Sequence, residues 1–378
     1  MNVFLTGANG FLGSYVCTDL LRVHPEQRVH LLVRATDQRG AIEKLWKTWQ
    51  LHMSLDEFQT LLKRVTIVFG DLHAPRLGIS DVQWADVLAN CDSILHIAAS
   101  LNRKSSKACL NTNLRGTLSV IKLAAELEKK GVLRRYSHVS TVAVAGQRDR
   151  EVVQEDDAIQ WDRSDYDPYG RTKKFCEHMA RELLPPDKVV FFRPSIVMGD
   201  SRWARTTQFD MIRAFCIMAD LPIVPVRPEV RLDIINADYV GRAIAHIHML
   251  KRTQWDIYHL SAGTSSKTAQ EIADALIAGQ TRKRVRFSKR LEGPFQKTID
   301  LMGLAPKKSP VSLPAALLKV FLPYITYDTV FDNHRVVSEL GDSPVPFTEY
   351  CTELYHYAKE SNYEFHPEPL PEEFALHD

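Results

Sequence analysis

No run in this 378-residue chain approaches the roughly 18 consecutive apolar residues that a membrane-spanning helix needs. The opening "MNVFLTG" has neither a basic n-region nor an apolar h-region, so no secretory leader is expected. Cysteine is sparse too. Cys17, Cys91, Cys109, Cys176, Cys216 and Cys351 stand apart, with no CxxC pair and no Cys/His spacing of the zinc-binding kind. They read as small buried hydrophobes of a reducing compartment, and a cytoplasmic location is the expectation. Charge of either sign is not in excess. The 48 Lys and Arg face 46 Asp and Glu, a net of +2, which leaves no overall electrostatic footprint for nucleic acid. Repeats and low-complexity tracts are missing as well. A chain of this length buries one large core or two unequal ones.

What is present is a rhythm. Short apolar runs, "NVFLTG", "VHLLV", "VTIVF", "SILHIAA", "YSHVST" and "VVFFRPS", alternate with helix-length segments through the first half. Continuous apolar strands separated by helices predict a parallel sheet covered on both faces, an α/β fold of the Rossmann-type doubly wound kind. Leu12, Val16, Leu20 and Val23 recur at helical spacing, and "NTNLRGTLSVIKLAAELEKKG" predicts a helix striped by Leu114, Leu118, Ile121 and Leu127 and closed at Gly131.

After about residue 196 proline becomes frequent, which predicts a smaller, mostly helical C-terminal part that binds substrate. The expected division is a dinucleotide-binding domain over 1–195, with 230–262 packing back on it, and a substrate-binding part over 196–229 and 263–378. "RKRVRFSKR", from Arg282 to Arg290, reads as a solvated edge strand. "LPAALLKVFLPYI", from Leu313 to Ile325, reads as a core helix, with a roof over a lipid channel or a peripheral membrane contact as the alternatives. His246 and His248 lie two apart on an expected helix, face different sides, and predict no metal site. Trp46 and Trp49 read as packing residues of a helical insertion that borders the expected dinucleotide phosphate site.

"TGANGFLGSYV", residues 6 to 16, places Gly7, Gly10 and Gly13 between an expected strand and an expected helix. Glycines at that junction let a pyrophosphate approach the backbone, and the helix N-terminus supplies free N–H groups and a partial positive charge. The second apolar run ends "LLVRAT". Arg34 stands where an acidic residue would select the ribose hydroxyl of NAD, Arg39 follows, and Lys44 lies near, so NADP(H) is the expected cofactor.

Tyr169 and Lys173 in "DPYGRTKKF" are one helical turn apart and share a face. A tyrosine beside an ammonium is a competent proton donor to an oxygen that gains charge during hydride transfer. "HVSTVAVAG" ends a strand about thirty residues upstream, and Ser140 or Thr141 offers a hydroxyl for the same oxygen.

With these pieces assembled, the chain resembles the extended short-chain dehydrogenase/reductases. Within them it is most similar to the thioester reductase and fatty acyl-CoA reductase branch, which carries the male sterility type of NAD-binding domain. "LTGANGFLG", "LLVRA", "FGDLHAPRLGIS", "ILHIAASLN", "NTNLRGT", "HVSTVAVAG", "YGRTK", "FFRPSIVMGDS" and "DIINADYVGRAI" follow the family's blocks in order, to about residue 250. The resemblance implies that Thr141, Tyr169 and Lys173 are catalytic. It implies cofactor contacts from Thr6, Gly7, Asn9, Gly10, Phe11, Leu12 and Gly13 at the pyrophosphate. Arg34 and Arg39 would serve the 2′-phosphate, and Asp71 and Leu72 the adenine. Ala98 and Ala99 would line the route to the nicotinamide ribose, Asn113 would support the central helix, Ser100 and Ser140 would be further cofactor contacts, and Pro194, Ser195, Ile196 and Val197 would meet the nicotinamide amide.

The function it implies is NADPH-dependent reduction of a fatty acyl or related acyl thioester, on coenzyme A or an acyl carrier protein, to the aldehyde or on to the alcohol. A ketone or aldehyde reductase, a hydroxysteroid dehydrogenase-like enzyme, and a non-catalytic NADP-binding regulator are the alternatives. Two departures concern the substrate: Ala145 replaces a tyrosine common in relatives, and "RWARTTQFD" follows "GDS" where a glycine turn is usual. Carboxylic acid reductases set this domain behind adenylation and carrier domains. Here it starts at residue 1, so a free or separately carried substrate is expected.

Overall fold

The structure is a computed structural model that describes all residues but 1, 104, 158, 280–283, 306–308, 310–311 and 375–378, and the side chains of 312–313. Seven parallel strands form the central sheet: β1 (Asn2–Thr6), β2 (Arg28–Val33), β3 (Val65–Phe69), β4 (Ser93–His96), β5 (Arg135–Val139), β6 (Val189–Pro194) and β7 (Ile257–Leu260). Their spatial order is β3-β2-β1-β4-β5-β6-β7, the doubly wound arrangement expected from the alternating runs. Register places Thr6 beside Leu32 and His96, and Val139 beside Phe192. Both faces are covered, so β5 and β6 are buried along their whole length.

Helices α1 (Phe11–Val23), α2 (Gln38–Trp49), α3 (Leu55–Leu62), α4 (Asp81–Asn90), α5 (Gly116–Lys129) and α6 (Pro168–Leu183) connect the first six strands. The expected stripe of α5 is deeper than foreseen. Val120, Ile121, Leu123, Ala124 and Leu127 are buried, while Leu114 and Leu118 are half-buried, because Leu114 belongs to a π-helical turn at Leu110–Arg115. Gly131 closes the helix at φ +69°.

Beyond β6 lie α7 (Asp210–Asp220), α8 (Ala237–Met249), α9 (Ala269–Ala278), α10 (Glu292–Met302), α11 (Ser312–Thr326), α12 (His334–Leu340) and α13 (Cys351–Glu360). Helix α8 packs on α1 at Gly241, where a Cβ would come within 2.6 Å of the Tyr15 Cβ. A separate apolar cluster is built by α7, α9, α11 and α13. The basic stretch forms no extended edge strand among its described residues. Arg286–Phe287 makes a two-residue parallel pairing with Ile223–Val224, a short turn follows, and Arg282 lies outside the described residues. None of the described helices is long and apolar enough to cross a membrane.

Candidate active site

Six of the stretches singled out in the sequence sit at the carboxyl end of a strand: Gly7 after β1, Arg34 after β2, Asp71 after β3, Ala98 after β4, Ser140 and Thr141 after β5, and Ser195 after β6. In a parallel sheet these ends share one edge, and the strand order reverses between β1 and β4, opening a crevice there. A cavity of about 360 Å³ occupies it, lined by Gly7, Asn9, Gly10, Phe11, Leu12, Gly13, Ala98, Ala99, Ser140, Thr141, Tyr169, Lys173 and Pro194 through Val197.

The glycine turn is crowded by its own backbone. Gly7 has φ +88°, and a Cβ there would lie 2.7 Å from the Ala98 nitrogen; one on Gly13 would lie 1.9 Å from the Gly7 oxygen. No side chain caps the first turn of α1, so its N–H groups remain available to a ligand. The indole of Trp49, fully buried, donates to the Ala8 oxygen at 2.9 Å and pins the turn from behind. The Ser140 hydroxyl is buried in the same cavity with no partner among the described residues. These features fit a nicotinamide dinucleotide.

Thr6, Ser100 and Asn113 stand behind the cavity rather than in its wall. Thr6 bonds His96 Nδ1 at 2.7 Å, and Asn113 Oδ1 accepts from the Ser100 nitrogen at 2.7 Å while its amide donates to Thr172. Arg34, Arg39, Asp71 and Leu72 lie off the enclosed part. Arg34 is 73% exposed with Nη1 3.6 Å from Asp71, and Lys44 donates to the Arg34 carbonyl. Arg39 is committed elsewhere, to Glu43 and to the carbonyls of Leu370, Pro371 and Glu372. Leu72 packs at Gly116.

Two of the catalytic candidates, Tyr169 and Lys173, stand on α6, and Thr141 faces the same cavity from the end of β5. The N-cap of α6 is Asp167, whose carboxylate accepts from the Gly170 nitrogen at 2.8 Å, and Glu177 clamps the helix to β6 through a buried two-pronged pair with Arg193 at 3.0 and 2.7 Å. Tyr169 is buried, and burial pushes its phenol up to about 12, opposed by the nearby Arg103 charge. Lys173 is also buried, which holds its ammonium below the ordinary value, and its Nζ donates to the Val139 oxygen at 2.7 Å. The Thr141 hydroxyl oxygen accepts from the Ala143 nitrogen at 3.3 Å, capping the turn that follows β5, and its own proton is left to donate.

Two charged residues that line this cavity escaped the sequence reading. Arg103 stacks over Tyr169 with its Cζ 4.7 Å from the ring centre, and its Nη1 donates to Asp167 at 2.7 Å and to Tyr324 OH at 2.6 Å. Tyr324 belongs to α11, so the apolar stretch is both a packed helix and a wall of the cavity, which it also lines with Phe321 and Pro323. Asp233 is the other. Burial raises its carboxyl to about 6 while it accepts from the Ala262 nitrogen. Only the "AASLN" block one residue upstream hinted at Arg103. Neither histidine expected to be inert enters the site, and His248 is buried against Ser137. Away from the cavity, Glu155, Asp332 and His334 bring their ligand atoms together, but Glu155 already accepts from two backbone nitrogens, those of His259 and Arg335.

Fold and site together define a nicotinamide-dependent oxidoreductase of the extended short-chain dehydrogenase/reductase class. A family model described as male sterility protein matches residues 5–244, and the chain belongs to that family. It is 31% identical over 262 residues to a linear gramicidin synthase of Brevibacillus parabrevis, and 30% identical over 264 residues to the large chain of the L-2-aminoadipate reductase of Penicillium chrysogenum. These alignments take in 68% and 64% of this chain but only 5% and 18% of those much longer proteins. In fold it is similar to the terminal R domain of the myxalamid biosynthetic pathway, with TM-score 0.78 at 22% identity, covering 97% of this chain and 92% of that one. An archaeal thiolation-reductase di-domain superposes with TM-score 0.72 at 16% identity, covering 96% and 76%.

Proposed function

We propose that this protein reduces an acyl thioester, carried on coenzyme A or on a carrier protein, to the aldehyde with NADPH. The observation that carries the reading is the buried Tyr169, set with Thr141 and Lys173 in one crevice that also holds the glycine turn. The names of the relatives support a carrier-bound acyl substrate. The exposed Arg34, with no carboxylate at the tip of β2, supports the phosphorylated cofactor.

Bound NADPH would supply the hydride. As the thioester carbonyl carbon gains it, the oxygen gains negative charge, and the Thr141 and Tyr169 hydroxyls, both lining the crevice, would donate to it. Tyr169 gives its phenolic proton to the oxygen, and the Arg103 guanidinium over the ring stabilises the phenolate left behind. The Lys173 ammonium, held by the Val139 carbonyl, is placed for a ribose hydroxyl. The carbon–sulfur bond of the resulting hemithioacetal then breaks; the hydroxyl proton passes to sulfur, and aldehyde and thiol leave.

The test is NADPH oxidation with acyl-coenzyme A and acyl-pantetheine thioesters beside matching aldehydes and ketones, with thiol release measured in parallel. One thiol per NADPH is expected. Consumption only with aldehydes or ketones would assign a carbonyl reductase instead.

A further inference from the structure

Behind the reaction crevice lies a second cavity, of about 70 Å³. Ile196 and Met211 line both, so the two share a wall beside Ser195. The second is walled by α7 and α9, with Phe215, Met218, Ala273 and Leu276 at its sides, and among the described residues every lining side chain is apolar. An all-apolar recess of this size, adjoining a crevice lined by Thr141, Tyr169 and Lys173, offers an apolar group a seat next to the reacting centre.

We propose that this chamber is the subsite for the tail of the acyl group, and that it selects a short apolar tail over a long fatty chain or one ending in a charge. The proposal rests on the thioester reading above only for the source of the acyl group.

Size argues for the short tail. At about 70 Å³ the chamber is smaller than a cavity of roughly 150 Å³ that accommodates benzene, which leaves room for about three to five carbons. Met198, Met211 and Met218 are unbranched and can shift to fit linear or branched tails of that size. Chemistry argues against a charged tail. A carboxylate pushed between these walls would give up its hydration and meet no donor. Each methylene seated should instead raise kcat/KM by roughly fourfold, until the chamber is full.

The experiment measures kcat/KM for acetyl, butyryl, hexanoyl, decanoyl, palmitoyl and adipyl pantetheine thioesters with NADPH. The optimum should fall between butyryl and hexanoyl, with hexanoyl at least tenfold above both adipyl and palmitoyl. Ala273→Leu should move the optimum to shorter tails and Met218→Ala to longer ones, opposite shifts that general damage to the fold does not produce. A profile that rises to palmitoyl, or adipyl reduced as well as hexanoyl, would overturn the proposal.

If no thioester turns over, the thioester reading fails by itself and binding decides the chamber. Hexanamide should then bind the NADP⁺-loaded protein at least tenfold more tightly than adipamic acid, the same chain ending in a carboxylate, and Ala273→Leu should abolish the difference. Equal binding would overturn the proposal whatever the reaction.

Discussion

The guanidinium carbon of Arg103 lies 4.7 Å from the centre of the Tyr169 ring, and the same group donates to Asp167, the cap of the helix on which Tyr169 stands. One cation therefore fixes both where the phenol sits and how readily it gives up its proton. Arg103→Met should lower kcat roughly tenfold to a hundredfold with NADPH affinity within about twofold, since the loss falls on charge developed during proton transfer. Arg103→Lys keeps the charge without the fork and should recover only part of the rate. Stopped-flow turnover and NADPH fluorescence titration separate the two effects.

Removing the proton donor outright is a harsher change. Tyr169→Phe should leave NADPH binding nearly intact while turnover falls by about a hundredfold to ten-thousandfold. Comparable turnover in this variant would refute the assignment of Tyr169 as the acid.

The pH dependence has a defined sign. A group that donates its proton works in its protonated form, and burial pushes the Tyr169 phenol up to about 12. The reductive rate should therefore show no loss from this group between pH 7 and about pH 10, in contrast to a phenol of ordinary value near ~10. An alkaline limb centred near pH 8 in wild type, and absent from Tyr169→Phe, would contradict it.

Cofactor choice should follow Arg34. Its 3.6 Å pairing with Asp71 is exposed and weak, so the guanidinium can turn to a phosphate at little cost. Arg34→Asp should shift the NADPH to NADH ratio of kcat/KM by roughly tenfold to a hundredfold toward NADH. Arg39 is poorly placed to compensate, because the carbonyls of residues 370–372 hold it.

Gly13→Ala sets a methyl 1.9 Å from the Gly7 carbonyl oxygen, a backbone atom that cannot move without opening the turn. The expected result is loss of measurable NADPH binding and a folding stability lower by about 1–3 kcal/mol, read as a fall in the denaturation midpoint. Gly293, where a Cβ would meet nothing within 4 Å, is the control position, and its alanine variant should bind NADPH as wild type does.

The strands were legible because a sheet covered on both faces leaves no polar side to its strands. "VTIVF" and "VVFFRPS" declare themselves by composition alone. The glycine turn and the pairing of Tyr169 with Lys173 were legible for a related reason: each depends on spacing within about ten residues, where backbone geometry dictates which groups can meet. Leu114 falls outside the α5 stripe because it sits in the π-turn at Leu110–Arg115, and a π-turn has no signature in hydrophobic spacing.

Sequence by itself thus determined the doubly wound sheet, the glycine turn at its crevice and the face of α6 that carries Tyr169 and Lys173. Tertiary structure alone decided the rest. It brought Tyr324 to Arg103 across 221 residues, drew Arg39 to residues 370–372, and left an apolar chamber between α7 and α9. Local patterns record which face of an element is buried, but not which distant element covers it. Partners set by long-range packing become visible only once the chain has closed on itself.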